Sequence, residues 1–215
     1  MHDDYLSGTI DAYDRNPLRY EEATGAMTPV AELDAFLALL PDPAARVLDV
    51  GCAFGRDTAL LAERGLRAEG VDLSAGFLER ARQLHPELAF GRMDARSLDF
   101  PDRTFGGVWC QATLLHLRDE DVAAAFAEFL RVLVPGGALF ASFKEGEGEE
   151  ELVERFSSDG ARFYRYQTVP RVTTMLQDAG YRVAAVDRSN EFERFGPGYR
   201  DLTWIHAYAV KPAVD

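Results

Sequence analysis

Residues 46–55, Arg-Val-Leu-Asp-Val-Gly-Cys-Ala-Phe-Gly, carry an apolar run into an acid and then into a tight glycine turn. Val47, Leu48 and Val50 suit a strand buried in a parallel sheet. Gly51 and Gly55 leave out side chains where a ligand must approach the backbone. Asp49 falls where the strand runs out, aimed into the crevice beyond it. A dinucleotide fingerprint, G-x-G-x-x-G, leaves a helix N-terminus open to a pyrophosphate. Here the spacing is Gly51-x-Ala53-x-Gly55, and Arg56 follows directly. A carboxylate at Asp49 repels a pyrophosphate and attracts a cation, such as the ammonium of an amino-acid-bearing nucleoside.

Three further stations follow in order. Ala68-Glu69-Gly70-Val71-Asp72-Leu73-Ser74 reads as a second strand ending in an acid, at the separation of about 20 residues from which a carboxylate reaches ribose hydroxyls. Ser74 suits a helix N-cap. A third strand over about 88–92 leads into Met93-Asp94-Ala95. The fourth strand, residues 105–110, ends at Gln111-Ala112-Thr113-Leu114-Leu115-His116-Leu117, and residues 130–140 read as helix, Pro-Gly-Gly turn and fifth strand.

In this order the stations resemble the class I S-adenosylmethionine-dependent methyltransferases, whose first motif reads roughly D-x-G-x-G-x-G. The resemblance implies that S-adenosyl-L-methionine is the cofactor and S-adenosyl-L-homocysteine the product. It places Asp49, Gly51, Cys52, Ala53 and Gly55 in the cofactor turn. Asp72 takes both ribose hydroxyls, with Leu73 and Ser74 beside it and Phe77 against the adenosine. Asp94 accepts from the adenine amino group, Met93 and Ala95 lie by the ring, and Gln111 opens the segment that seats the methyl. Ala53 stands where the family has its middle glycine, which predicts a negative φ there.

With 215 residues and 47% hydrophobic content, the chain supports one sizeable core, and no linker-like stretch divides it. The reading is a single domain, 1–215, with an N-terminal helical cap over 1–44, a cofactor-binding half over 45–143 and a substrate-side half over 144–215. No apolar run approaches the about 18 residues of a membrane span, and Met1-His2-Asp3-Asp4 lacks the start of a signal peptide. A cytoplasmic protein with no membrane partner is expected. Cys52 and Cys110 read as small core residues with neither disulfide nor metal spacing. The net charge of -13 argues against nucleic acid as partner and favours a cationic or amine substrate. Arg162, Arg165 and Arg171 nonetheless cluster late in the chain. No feature of the sequence specifies an oligomer.

Apolar residues at helical spacing predict helices at about 29–40, 55–64, 75–84, 119–132 and 169–179. Residues 181–187 read as a sixth strand and 202–210 as a seventh, with Trp204 and His206 on one face and Ile205 on the other. Strands alternating with helices predict an α/β fold. The resemblance makes it Rossmann-like, a seven-stranded, mostly parallel sheet with helices on both faces and the last strand antiparallel between the fifth and sixth.

Three segments outside the cofactor motifs bear on the acceptor. The stretch through Tyr5, Tyr13, Tyr20 and Glu21 resembles the family's mobile cap, or is a surface helix packed on the sheet. Residues 144–151, Lys-Glu-Gly-Glu-Gly-Glu-Glu-Glu, start where ligands of open α/β sheets bind. Lys144 or Glu145 there is placed to orient a polar substrate, while Glu149, Glu150 and Glu151 suit a first helical turn. Arg162-Phe163-Tyr164-Arg165-Tyr166 offers rings to stack on a planar substrate and arginines for a carboxylate, Tyr166 included among the substrate-side residues; alternatively it is an edge segment packed on the core.

Methyl transfer from a sulfonium is an in-line displacement that positioning alone accelerates strongly. A base is needed only when the acceptor holds its proton. His116 is the candidate, by place and by its titration range, against a purely packing role; His206 and Tyr13 stand behind it. No metal constellation is present in the sequence. The leading function is an S-adenosylmethionine-dependent methyltransferase acting on O or N of a small-molecule acceptor. The alternatives are an RNA- or protein-modifying enzyme and a non-catalytic S-adenosylmethionine-binding module.

Overall fold

Val47, Leu48, Asp49 and Val50 are all buried, as a strand covered on both faces requires. The computed structural model describes residues 4–154 and 160–213. In chain order it builds α1 (Asp4–Asp14), α2 (Pro17–Thr24), α3 (Val30–Leu37), β1 (Arg46–Val50), α4 (Arg56–Glu63), β2 (Arg67–Asp72), α5 (Ala75–Leu84) and β3 (Ala89–Arg92). It continues with β4 (Phe105–Cys110), a single 3-10 turn (Leu114–His116), α6 (Asp119–Val132), β5 (Leu133–Lys144), β6 (Glu149–Leu152) and β7 (Arg162–Arg165). The chain ends on α7 (Val169–Asp178), β8 (Arg182–Asn190), α8 (Glu191–Phe195) and β9 (Thr203–Val210).

Seven strands form one sheet in the order β3-β2-β1-β4-β5-β9-β8. All neighbours are parallel except β9, which runs antiparallel to both β5 and β8. This is the sheet expected from the sequence. Successive side chains of a strand face opposite ways, and the core divides accordingly. Leu48, Val108, Leu139 and Ile205 pack on one face with Phe126 and Phe129 of α6 and Val172 and Leu176 of α7. Val47, Trp109, Phe140 and Tyr208 pack on the other with Leu33 and Phe36 of α3 and Leu61 of α4.

The chain leaves β1 towards β2 and leaves β4 towards β5, so the strand order reverses between β1 and β4. A crevice opens at the carboxyl ends of strands at such a point. The turn after β1 fills its floor. Gly51 has φ +76, and a Cβ there would fall 1.9 Å from Thr113 Oγ1; only glycine fits. Ala53 departs from expectation, with φ +48 in the left-handed region. Its N–H donates to Asp72 Oδ2 at 3.0 Å, so a bond across to β2 holds the turn against the steric preference of an L-residue.

Helices α5 and α6 match their expected limits, and Ser74 caps α5 by accepting from Phe77 N–H at 3.0 Å. Glu149 to Glu151 correct the sequence reading. They form the edge strand β6 rather than a helical turn, because Arg162 to Arg165 offer an antiparallel partner with Glu149 opposite Arg165 and Glu151 opposite Phe163. Among the described residues no helix is long and apolar enough to cross a membrane.

Replacing Ala53 by glycine tests the strained turn. The left-handed penalty of roughly 1–2 kcal/mol, less the freedom that glycine adds to the unfolded chain, leaves Ala53→Gly about 0.5–1 kcal/mol more stable. A thermal unfolding midpoint that stays put or falls would show the turn to be unstrained.

Candidate functional site

Two hollows open at the crevice and meet. They hold about 740 and about 1000 Å³, open solvent at their mouths included. Tyr13, Tyr20, Gly51, Ala53, Gln111, Ala112 and His116 line both.

The first hollow is bounded by Asp72, Leu73, Phe77, Met93, Asp94 and Ala95. Asp72 Oδ1 accepts from Ser74 N–H at 2.8 Å while Oδ2 holds Ala53. Burial raises its pKa, against the backbone N–H groups that favour the carboxylate. Asp94 is held by Arg96, whose Nη2 donates to Oδ2 at 2.7 Å. Burial would raise the Asp94 pKa, but these bonds prevail and keep it low. Phe77 and Met93 give the hollow apolar walls.

Asp49, which lines the second hollow, accepts from Thr58 Oγ1 at 2.6 Å and is 2% exposed. Burial first, and the nearby Asp57 second, lift its pKa well above the ordinary carboxylate range. A cation arriving here would restore its charge. Gln111 Oε1 is buried with no hydrogen-bond partner among the described residues, and an acceptor without a donor invites an N–H. Both features fit the ammonium end of an amino-acid-bearing nucleoside.

The second hollow has a different wall. Lys144 at the end of β5 is 3% exposed and Arg162 of β7 is 2% exposed, deep burial for charged side chains. Glu154 binds both: Lys144 Nζ forms an ion pair with Oε1, and Arg162 Nη2 reaches Oε2 at 2.9 Å. Arg200 Nη1 also reaches Oε1 at 2.9 Å, and Tyr164 OH donates to Oε2 at 2.9 Å. Arg200 forks onto Glu191 as well, and Trp204 Nε1 donates to the same carboxylate at 2.8 Å. The pKa shifts reveal the local balance. Although it is buried, Glu154 is driven down to about 2, with Lys144 and Arg200 the leading causes. An ion-paired lysine ordinarily gains basicity, yet Lys144 falls to about 8, through burial and the repulsion of Arg200 and Arg162. Cations prevail along this wall, against the acidity of the whole chain.

His116 stands between the two hollows. Its Nδ1 lies 2.6 Å from Phe163 O, which can only accept, so Nδ1 carries the proton and Nε2 is an acceptor. Tyr13 OH, 2.8 Å away, therefore donates to Nε2 and itself accepts from Arg162 Nη1 at 2.7 Å. Burial, then Arg162 and Lys144, bring the His116 pKa down to about 3. The imidazole is neutral and presents one basic nitrogen, already engaged by a tyrosine.

Most residues singled out in the sequence line a hollow: Asp49, Gly51, Cys52, Ala53, Asp72, Leu73, Phe77, Met93, Asp94, Ala95, Gln111, His116, Tyr13, Tyr20 and Lys144. Four do not. Ser74 caps α5, and Gly55, with φ +84, starts α4. Glu145 pairs with Arg188, and Tyr166 OH donates to Glu150. The sequence reading missed Glu154, Arg200, Glu191 and Trp204 as members of the site; most of their partners are 8–13 residues away, and only Arg200 to Glu154 spans 46. Lys144 and the basic-aromatic alternation of Arg162-Phe163-Tyr164 were the sequence's hints of this wall. Among the described residues no three His, Cys, Asp or Glu side chains are grouped to hold a metal.

Known proteins resemble this chain in sequence and fold. A family model described as a methyltransferase domain matches residues 47–137. Trans-aconitate 2-methyltransferase of Methylobacterium radiotolerans is 31% identical over 219 residues, covering 94% of this chain and 82% of that protein. Phosphoethanolamine N-methyltransferase 1 of Arabidopsis thaliana is 31% identical over 188 residues, covering 81% of this chain. The match spans only 38% of that longer relative. Among solved structures, 1,6-didemethyltoxoflavin-N1-methyltransferase of Burkholderia thailandensis, with its substrate and S-adenosylhomocysteine bound, has a TM-score of 0.74 at 23% identity. The alignment covers 97% of this chain and 89% of that one.

Glu154 is the group whose loss the wall should feel most. Glu154→Gln leaves buried cations facing one another, and removing one partner of a buried pair costs about 3–5 kcal/mol. Denaturant unfolding measures this directly; a loss below about 1 kcal/mol would mean that solvent rather than Glu154 screens these cations.

Proposed function

The chain belongs to the class I S-adenosylmethionine-dependent methyltransferases, and from that membership we propose that it methylates a nitrogen or oxygen of a small acceptor bearing a phosphate or carboxylate. The observation that carries this reading is the joining of two unlike hollows, one with a ribose-spaced acid and apolar walls, the other with buried cations. The acceptors named for two relatives, phosphoethanolamine and trans-aconitate, are anions of these kinds.

In this reading residues 45–143 hold the cofactor, 144–215 the acceptor, and 1–44 close over both. Asp72 takes the ribose hydroxyls, Phe77 and Met93 flank the adenine, and Asp49 with Gln111 receives the ammonium. S-adenosylmethionine, when bound, supplies an electrophilic methyl on a positively charged sulfur. Lys144, Arg162 and Arg200 anchor the acceptor's anion, which fixes the nucleophile at the shared wall by Tyr13. Holding it about 3–3.5 Å from the methyl, in line, supplies most of the acceleration. If the acceptor carries a proton, that proton passes to the Tyr13 oxygen as the Tyr13 hydroxyl proton passes to His116 Nε2. An anion beside Arg162 and Lys144 offsets two of the causes that depress His116, so the base strengthens when the acceptor arrives.

Two experiments test the two halves. Asp72→Ala should weaken S-adenosylhomocysteine binding about 100-fold by calorimetry, the loss expected from two hydrogen bonds to a charged group; unchanged affinity in a folded variant overturns the cofactor assignment. For the acceptor side, Lys144 loses its proton as pH rises through about 8. Phosphoethanolamine affinity for the S-adenosylhomocysteine-loaded protein should therefore hold steady near pH 7 and decline above pH 8, and Lys144→Arg should abolish that decline. A flat profile in the unmodified protein removes Lys144 from the anion site.

A further inference from the structure

Antiparallel neighbours need only about two to five residues to turn. Asn190 of β8 pairs with Thr203 of β9, yet residues 191–202 intervene. This excursion carries α8 and adds Glu191, Arg194, Phe195 and Arg200 to the wall of the second hollow. Glu191 and Arg200 are accounted for by the cationic wall. Phe195 is not.

Its ring is held rather than loose. The Arg194 guanidinium lies over it at 5.1 Å and forks onto Glu32 of α3, with Nη2 to Oε2 at 2.9 Å. The Tyr199 ring lies 5.0 Å away from the same excursion, tilted by 37°. Met27, Pro29 and Trp204 line the same hollow, which gives it apolar surface as well as cations. His206, 4% exposed, lines this hollow too; Ser189 Oγ lies 2.8 Å from its Nε2, and its Nδ1 has no partner among the described residues. The anion and the nucleophile do not need this apolar surface, because Arg162 already touches Tyr13 at 2.7 Å. A short aliphatic acceptor is fully served by the wall around Glu154.

We propose that the lobe between Phe195, Trp204 and Met27 binds a flat apolar portion of the acceptor, so that the acceptor is an aromatic phosphate or carboxylate rather than a short aliphatic one. This rests on the anionic-acceptor reading above. Aromatic rings at such a wall gain both area and ring-ring geometry over an alkyl chain.

Matched ligands without a methyl-accepting group isolate the lobe from the chemistry. Calorimetry on the S-adenosylhomocysteine-loaded protein compares phenyl phosphate with ethyl phosphate and benzoate with propanoate, the two arms separating a phosphate from a carboxylate head. In at least one arm the aromatic member should bind tenfold or more tightly. Phe195→Ala should cut that advantage below threefold and leave the aliphatic member's affinity unchanged. Equal affinities in both arms, or a Phe195→Ala variant that weakens both members alike, overturn the lobe and leave the anionic-acceptor reading standing. If none of the four anions binds while S-adenosylhomocysteine does, the anionic-acceptor reading falls and the lobe with it.

Discussion

Three buried or half-buried cations share one wall because Glu154 stands between them. Lys144 arrives at the end of β5, Arg162 from β7 and Arg200 from the excursion between β8 and β9, and each reaches the same carboxylate. Bringing such charges out of water carries a penalty of several kcal/mol per ion, recovered only with good geometry and further hydrogen bonds. The further bonds are present: Tyr164 OH closes on Glu154, and Trp204 and Arg200 close on Glu191. A well-packed apolar wall would be at least as stable. Stability alone therefore does not account for the arrangement.

The same knot positions the groups at the junction of the hollows. Arg162 donates to Tyr13, Tyr13 donates to His116, and His116 donates to the backbone of β7 at Phe163. The chain of donors begins and ends on one short strand. Its middle member belongs to α1, so the orientation of the imidazole depends on where the N-terminal helices sit. Those helices are tied to α4 and α5 by separate bonds. Asp14 accepts from Ser74 and from Gly76 N–H, Glu21 receives the Arg80 fork, and Arg56 donates to Thr24 O at 2.8 Å. The N-terminal helices thus touch α4, α5 and β7 at once, and of the bonded residues Arg56 and Thr24 also border the second hollow.

How much of this the sequence revealed follows from how local each determinant is. The β1 turn, the Asp72 station and the Ser74 cap rest on spacings within about 25 residues, and periodicity and capping rules read them directly. The sheet arrangement and the antiparallel β9 came not from those rules but from the family resemblance that the succession of motifs carries. Glu154 was not legible, although Lys144, Arg162 and Tyr164 lie within 10 residues of it, because no periodicity or capping rule assigns a partner to a glutamate outside a regular element. Glu149 to Glu151 misled for a related reason: helix-dipole preference is worth well under 1 kcal/mol at an exposed site, and the ladder with Arg162 to Arg165 outweighs it. The net charge of -13 could not locate these cations either. A summed field governs encounter over tens of ångströms, whereas binding is decided by the few groups within contact distance.

Ala53 shows how the two levels meet. Steric preference alone assigns it a negative φ, and the strand-turn-helix motif demands a left-handed residue at that point. The motif prevails because Gly51, pressed against Thr113, and Asp72, accepting the Ala53 N–H, leave the backbone between them little choice. Asp72 is thereby both the group spaced for a ribose and the support of the turn that faces it. A ligand hydroxyl that competes for Oδ2 acts on the turn as well as on the acid, which couples occupation of the first hollow to the shape of the wall that Gly51 and Ala53 give to the second.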